Sequence, residues 1–324
     1  MKNKRKLVKR AALIGVPILF ILYFVIGNVF YHFALSAKSS QSRTIGEKVY
    51  VSSPAIDPER EQIEREKDKK FLEQFVPKQL SITSHDGLKL AGYVYEQPKK
   101  TNEWIVAVHG YTGSVQQMIR WNRQLYELGY NIWAPDLRGH GNSEGSYYGM
   151  GWLDQQDLHD WLQLLLESEP DARITLYGVS MGASAVLNLA SDAPPQVQAV
   201  IADSGFTSVQ SIFETQLHNV LHLPSFPIMN AANTVSKWRV GLDFNKASTV
   251  ELVKDIDVPI FYIHGGQDTF VPVENAYELT KATTAPYELW IVEDANHGEA
   301  VKVEPDLYRE KIDAFIQANM MSSN

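Results

Sequence analysis

The chain has 324 residues, 44% of them hydrophobic, and a formal net charge of −8, which suits one large domain with appendages. It holds no cysteine, so disulfides, a thiol nucleophile and a cysteine-bound metal are excluded. Six of the 30 basic residues precede residue 11; the remainder sets 24 basic against all 38 acidic side chains, a net −14 that argues against nucleic acid as a partner and implies weak repulsion from anionic lipid or wall polymers.

Residues 11–31 are almost continuously apolar, broken only by Gly15, Pro17, Gly27 and Asn28. At about 1.5 Å per helical residue the run reaches the ~30 Å of a bilayer's hydrocarbon core. Lys2, Lys4, Arg5, Lys6, Lys9 and Arg10 precede it and predict a cytoplasmic N-terminus, with the rest of the chain outside the cell membrane; Tyr23, Tyr31 and His32 mark the interfaces. The competing reading is a secreted protein cleaved in the small-residue stretch Ala34-Leu35-Ser36-Ala37. The apolar run exceeds the roughly 7–15 residues of a signal peptide, which favours a retained anchor.

Residues 38–53 read as a polar linker. The charge-dense stretch 57–75, opened by Asp57-Pro58, is expected to be a solvated helix that spaces the body from the membrane. Alternation over 80–95 around His85-Asp86-Gly87 predicts a β-hairpin. Strands are predicted at 104–108, 131–135, 174–177, 197–202, 258–263 and 287–292, and helices at 116–128, 152–168, 183–190 and 305–321, the last with proline in its first turn. Strands alternating with helices imply an α/β fold, a mainly parallel sheet covered on both faces. The stretch 206–245 breaks the alternation and is expected to be a cap, its apolar residues lining a pocket or packing on the body. The expected organisation is a basic tail and transmembrane anchor over 1–34, a linker and juxtamembrane helix over 35–78, and the main domain over 79–324.

The strongest motif is Gly178-Val179-Ser180-Met181-Gly182, between the run Ile174-Thr175-Leu176-Tyr177 and a predicted helix. Strand, tight turn and helix with serine at the apex is a nucleophile elbow. The glycines remove side chains where neighbouring segments crowd, and the helix start offers N–H groups to an anion. A serine nucleophile needs a histidine base and a carboxylate to orient it. Asp268 follows the strand at 258–263 and His297 follows the strand at 287–292, in the chain order Ser, Asp, His. Asp203 and Asp294 are competing carboxylates.

These segments resemble the α/β-hydrolase superfamily, and within it serine aminopeptidase-like and acyl-hydrolase members of bacteria. The matching residues are His109-Gly110-Tyr111-Thr112-Gly113, Asp136-Leu137-Arg138-Gly139-His140-Gly141-Asn142-Ser143, the elbow, Asp203-Ser204-Gly205-Phe206 and the loops of Asp268 and His297, over roughly residues 80–320. The resemblance implies that Ser180, Asp268 and His297 form the catalytic set, since the Asp268 loop precedes Val271-Pro272 as in the family pattern. It also implies that the backbone N–H groups of Tyr111 and Met181 form the oxyanion hole. Serine at the elbow disfavours the dehalogenase and epoxide hydrolase branches, which the resemblance ties to an aspartate there.

The remaining histidines read as structural: His109 shaping its turn, His140 fixing a loop, His264 buried and satisfied. His218 and His222 stand four apart on the cap with no third ligand evident, so no metal is expected; a Walker lysine pattern is missing, and no cofactor is expected. The expected activity is acyl-ester hydrolysis of a small molecule. A peptidase acting on short peptides is the second reading, weakened because the cap offers only Glu214 and Asp243 to hold an amine. A thioesterase, an acyltransferase and a non-catalytic binding protein on a hydrolase scaffold are the further alternatives.

Overall fold

The central strands carry unbroken apolar runs, as buried parallel strands require. In the computed structural model, residues 2–38 and 52–320 are described. Eight strands form one sheet: β1 (Lys78–Thr83), β2 (Lys89–Tyr95), β3 (Glu103–Val108), β4 (Asn131–Pro135), β5 (Arg173–Val179), β6 (Val197–Asp203), β7 (Ile260–Gly265) and β8 (Tyr287–Val292). Their spatial order is β1-β2-β4-β3-β5-β6-β7-β8. β1 pairs with β2 and β2 with β4 antiparallel, and every other pairing is parallel. The predicted hairpin is β1 and β2.

The helices are α1 (Lys2–Phe30), α2 (Pro58–Gln74), α3 (Ile119–Glu127), α4 (Asp154–Ser168), α5 (Met181–Ala190), α6 (Val209–Leu221), α7 (Ser225–Val240), α8 (Thr249–Leu252), α9 (Glu274–Ala282), α10 (Ala300–Val303) and α11 (Pro305–Met320). Two apolar clusters flank the sheet. One gathers Leu158, Trp161, Leu176, Val186 and Val200; the other gathers Ile105, Tyr177, Ile201, Phe261 and Phe315. The stretch 206–245, expected to be a cap, holds α6 and α7.

Among the described residues, one helical stretch, Leu13–Leu35, is long and apolar enough to cross a membrane, with mean hydropathy 2.4. Leu13, Ile14, Val16, Leu19 and Phe20 on it are each more than half exposed. Its far end behaves differently. After α1 the chain makes a π-helical turn, Tyr31–Leu35, whose Leu35 is fully buried. The Leu35 carbonyl accepts from Tyr148 N–H at 2.8 Å, and Ala37 N–H donates to the Ser146 carbonyl at 3.1 Å. The linker expected from residue 35 therefore starts later, because residues 35–37 are seated in the body by burial and backbone pairing. Residues 39–51 of that expected linker lie outside the described residues.

α1 also grips the cap. At Gly27 a Cβ would come 2.4 Å from the Ala231 carbonyl oxygen, so the absence of a side chain lets the two helices meet. Tyr23 and Thr234 hydroxyls lie 2.9 Å apart, and Arg239 donates to Asn28 Oδ1 at 2.6 and 3.0 Å.

α2 is not the solvated spacer expected from its charges. Asp57 caps its start, accepting from Glu59 N–H at 2.9 Å. Its acidic face then docks on α3: Asp68 accepts from Nε of both Arg120 and Arg123 at 2.7 Å, and Glu61 accepts from Arg120 at 2.9 Å. Glu64 pairs with Arg123, and Phe71 is buried against Tyr95 and Tyr126. The apolar stripe of α2 is thin because ion pairs supply most of its attachment. Arg123, 2% exposed, is central to them. Arg123→Ala is expected to destabilise the protein by about 3 kcal/mol, since it strands buried carboxylates, as read by thermal or urea unfolding.

Asp154, at the start of α4, is fully buried; Gly151 N–H donates to its Oδ2 at 2.7 Å while Oδ1 has no partner among the described residues. Burial, with Asp157 nearby, pushes its pKa from 3.8 up to about 7. The folded state therefore binds a proton that the unfolded state has lost, and stability should fall as pH rises from about 4 to about 7. Asp154→Asn, which imitates the protonated form, is expected to flatten that decline in melting temperature measured against pH.

Candidate active site

Ser180 stands between the end of β5 and the start of α5, with φ 58° and ψ −119°. A non-glycine residue at positive φ is strained and must be held by its surroundings. The restraints are visible. A Cβ at Gly178 would lie 2.2 Å from the Gly182 carbonyl oxygen, and one at Gly182 would lie 2.2 Å from the Val108 carbonyl oxygen. β5, α5 and the end of β3 thus meet at a spacing that tolerates only glycine. Ser180 N–H is tied to the Asp203 carbonyl at 2.7 Å.

Ser180, His297 and Asp268, far apart in sequence, form one hydrogen-bonded relay. His297 Nε2 lies 2.8 Å from Ser180 Oγ, and His297 Nδ1 lies 2.7 Å from Asp268 Oδ2. A carboxylate at Nδ1 favours the tautomer protonated there, leaving Nε2 to accept from the serine hydroxyl. The ring of Phe270 covers His297 at 4.9 Å between centroids. The Asp268 side chain is fully buried, and its Oδ1 accepts from Phe270 N–H at 2.9 Å and Val271 N–H at 2.7 Å. His264 Nε2 lies 3.4 Å from Oδ2 and donates to the Val271 carbonyl at 2.8 Å. Burial alone would raise the Asp268 pKa; the two histidines outweigh it and hold the carboxyl well below the usual carboxylate range.

The competing carboxylates lie elsewhere. Asp203 accepts from Tyr308 Oη at 2.8 Å and from Ser204 Oγ at 2.8 Å, and burial raises its pKa. Asp294 is exposed. Met181 opens α5, so its N–H has no partner within the helix. The loop of Gly110 and Tyr111 lies against the serine: a Cβ at Gly110 would be 3.2 Å from Ser180 Cβ. The remaining sequence-predicted roles are structural in geometry. His109 Nε2 accepts from Leu137 N–H at 3.0 Å, His140 Nε2 accepts from Thr112 N–H at 3.2 Å, and Arg138 forks onto Asp157 at 2.6 and 2.7 Å.

Two cavities meet at Ser180. One is apolar, lined by Phe30, Ala34, Met181, Phe206, Phe213 and Leu217 among others, with no charged side chain among the described residues. The other is more polar, bordered by Thr112, Ser114, Gln117, Trp121, His297 and Lys302.

The comparisons follow this geometry. The family model described as "Serine aminopeptidase, S33" matches residues 99–243. The chain is similar to the uncharacterized protein YqkD of Bacillus subtilis, 26% identical over 313 residues, 96% of this chain and 98% of that one. Its structure resembles the Pyrococcus furiosus esterase Pf2001 with a TM-score of 0.64 and 25% identity, over 76% of this chain and 92% of that one. The chain belongs to the α/β-hydrolase superfamily. Among curated relatives of this α/β-hydrolase is the Danio rerio lysophosphatidylserine lipase ABHD12, 26% identical over 58% of this chain and 52% of that protein. These relatives place the chain among hydrolases of the esterase and peptidase type.

Sequence reasoning missed Phe270 over His297, the Tyr177–Tyr308–Asp203 hydrogen-bond chain and, above all, Phe30, Phe33 and Ala34 beside Ser180. No local pattern signals the last three, since they end a segment that reads as membrane anchor. The elbow's crowding yields a direct prediction: Gly182→Ala should cost about 3 kcal/mol or more of stability through overpacking, measured by thermal unfolding.

Proposed function

We propose that the chain is a membrane-anchored serine hydrolase that cleaves acyl esters through an acyl-Ser180 intermediate. One observation carries this reading: the Ser180–His297–Asp268 relay opens onto an apolar cavity with no charged lining among the described residues. An acyl chain fits such a lining, and the more polar cavity across the serine suits a hydrophilic leaving group.

In the proposed reaction His297 Nε2 takes the Ser180 hydroxyl proton as Oγ attacks the ester carbonyl carbon. The tetrahedral oxyanion is met by the N–H groups of Tyr111 and Met181, each worth about 3 kcal/mol of barrier. Collapse breaks the carbon–oxygen bond, and His297 returns the proton to the departing alkoxide. Water, deprotonated by the same nitrogen, then attacks the acyl-serine and releases the carboxylic acid and Ser180. Asp268 holds the imidazole in its tautomer and stabilises the imidazolium. No cofactor or metal enters this scheme. A thioester, or an acceptor other than water, would use the same intermediate.

The family description favours a second reading, a peptidase. The cap carboxylates do not support amine capture: Glu214 is engaged by Gln210, and Asp243 by Lys237 at 2.8 Å. The anchor reading is supported by the length and apolarity of Leu13–Leu35 and by the basic residues before it, which favour a body outside the cytoplasm. The burial of Ala34, Leu35 and Ser36 argues against cleavage there and against a secreted form.

The test uses the full chain in detergent. A fluorophosphonate probe is expected to label the wild type and not Ser180→Ala. Asp268→Asn should lower turnover of p-nitrophenyl esters by about 10⁴-fold. Cleavage of aminoacyl p-nitroanilides without ester cleavage would establish the peptidase instead, and an unlabelled, folded wild type would establish a binding protein.

A further inference from the structure

The apolar cavity beside Ser180 is not built by the hydrolase body alone. Phe30, Phe33 and Ala34, the last turn of the long apolar helix, line it together with Met181, Phe206 and Phe213. They are fixed there. Phe30 packs edge-on against Phe213 at 5.2 Å between centroids and touches Phe244 at 6.3 Å. The Ala34 carbonyl accepts from Tyr111 Oη at 2.7 Å, which ties the helix end to the loop that faces the serine. One face of the helix before it points outward, with Val29, Val25, Leu22 and Phe20 each at least half exposed.

The cap extends the same apolar surface. Leu221 ends α6 at 41% exposed, and Leu223 and Phe226, at the turn into α7, are 42% and 77% exposed. Val220 and Leu221 also border the cavity. Exposed Leu221 and the anchor residues Phe30, Phe33 and Ala34 thus border one apolar path to Ser180. Moving an acyl chain through water disfavours it about fourfold per methylene, and a path of this kind avoids that step.

Building on the ester-hydrolase reading, we propose that the end of the anchor helix is a wall of the acyl-binding pocket, and that the substrates are long-chain acyl esters drawn sideways from the bilayer leaflet next to the body. The chain enters between anchor and cap, its carbonyl reaches Ser180, and its polar portion occupies the cavity of Thr112, Ser114, Gln117 and Lys302. The anchor is then a specificity element as well as a tether.

The experiment places the full chain in vesicles of neutral phospholipid and compares p-nitrophenyl acetate, octanoate and palmitate. Ala34→Trp fills the pocket and should lower the ratio of palmitate to acetate kcat/KM by about tenfold or more. Phe33→Ala opens it and should move the ratio the other way. Val16→Trp, on the outward-facing part of the helix, should leave the ratio at its wild-type value. Diluting the palmitate ester with carrier lipid at fixed bulk concentration should slow its hydrolysis in proportion. An unmoved ratio in Ala34→Trp and Phe33→Ala overturns the proposal, as does a palmitate rate that follows bulk concentration. Fluorophosphonate labelling separates the two failures: a labelled wild type with unmoved ratios removes only the pocket wall, whereas an unlabelled wild type removes the hydrolase reading itself. If Ala34→Trp is not labelled, Phe33→Ala decides alone.

Discussion

The site depends on one close approach. β3, β5 and α5 converge so tightly around residues 178–182 that a single added carbon at Gly178 or Gly182 would overlap a carbonyl oxygen. That crowding forces Ser180 into positive φ and lifts its hydroxyl off the sheet. The strain is stored against the rigid parallel core, and the bond from Ser180 N–H to the Asp203 carbonyl helps hold it. His297 and Asp268 then need only be delivered to one point, and the ends of β7 and β8, neighbours in the sheet, deliver them.

Buried polar groups stabilise the loops that carry those residues. Asp268 is satisfied by two backbone N–H groups and lies beside two histidines, so its carboxylate persists without solvent. Asp203, one strand over, is occupied by Tyr308 of the C-terminal helix and by Ser204, whose hydroxyl also accepts from Gly298 N–H at 3.1 Å. The residue after the histidine is thus tied to the strand end beside the elbow. Two carboxylates at the same edge take different tasks because their partners differ.

The N-terminal segments are part of the body. α2 docks by buried ion pairs to Arg120 and Arg123, a mode in which each charge depends on its partner's presence. The end of α1 docks by apolar burial and by the close contact at Gly27. One helix therefore combines an outward-facing apolar stretch with an inward-facing wall of the candidate site.

The sequence by itself determined the sheet and the elbow. Unbroken apolar strands, alternating helices and a serine between glycines follow from local chemistry, and the order of Ser180, Asp268 and His297 follows from the chain. It left Asp203, Asp268 and Asp294 as candidates on local grounds, because choosing among them depends on which carboxylate points at the imidazole. It also misread α2 as a solvated spacer, since Arg120 and Arg123 look like surface residues until Glu61, Glu64 and Asp68 are brought to them. Only the tertiary structure decided that Phe30, Phe33 and Ala34 stand beside Ser180. Hydropathy reports how apolar a segment is and never what it faces; which distant residues line one cavity is a property of packing, which no local pattern encodes.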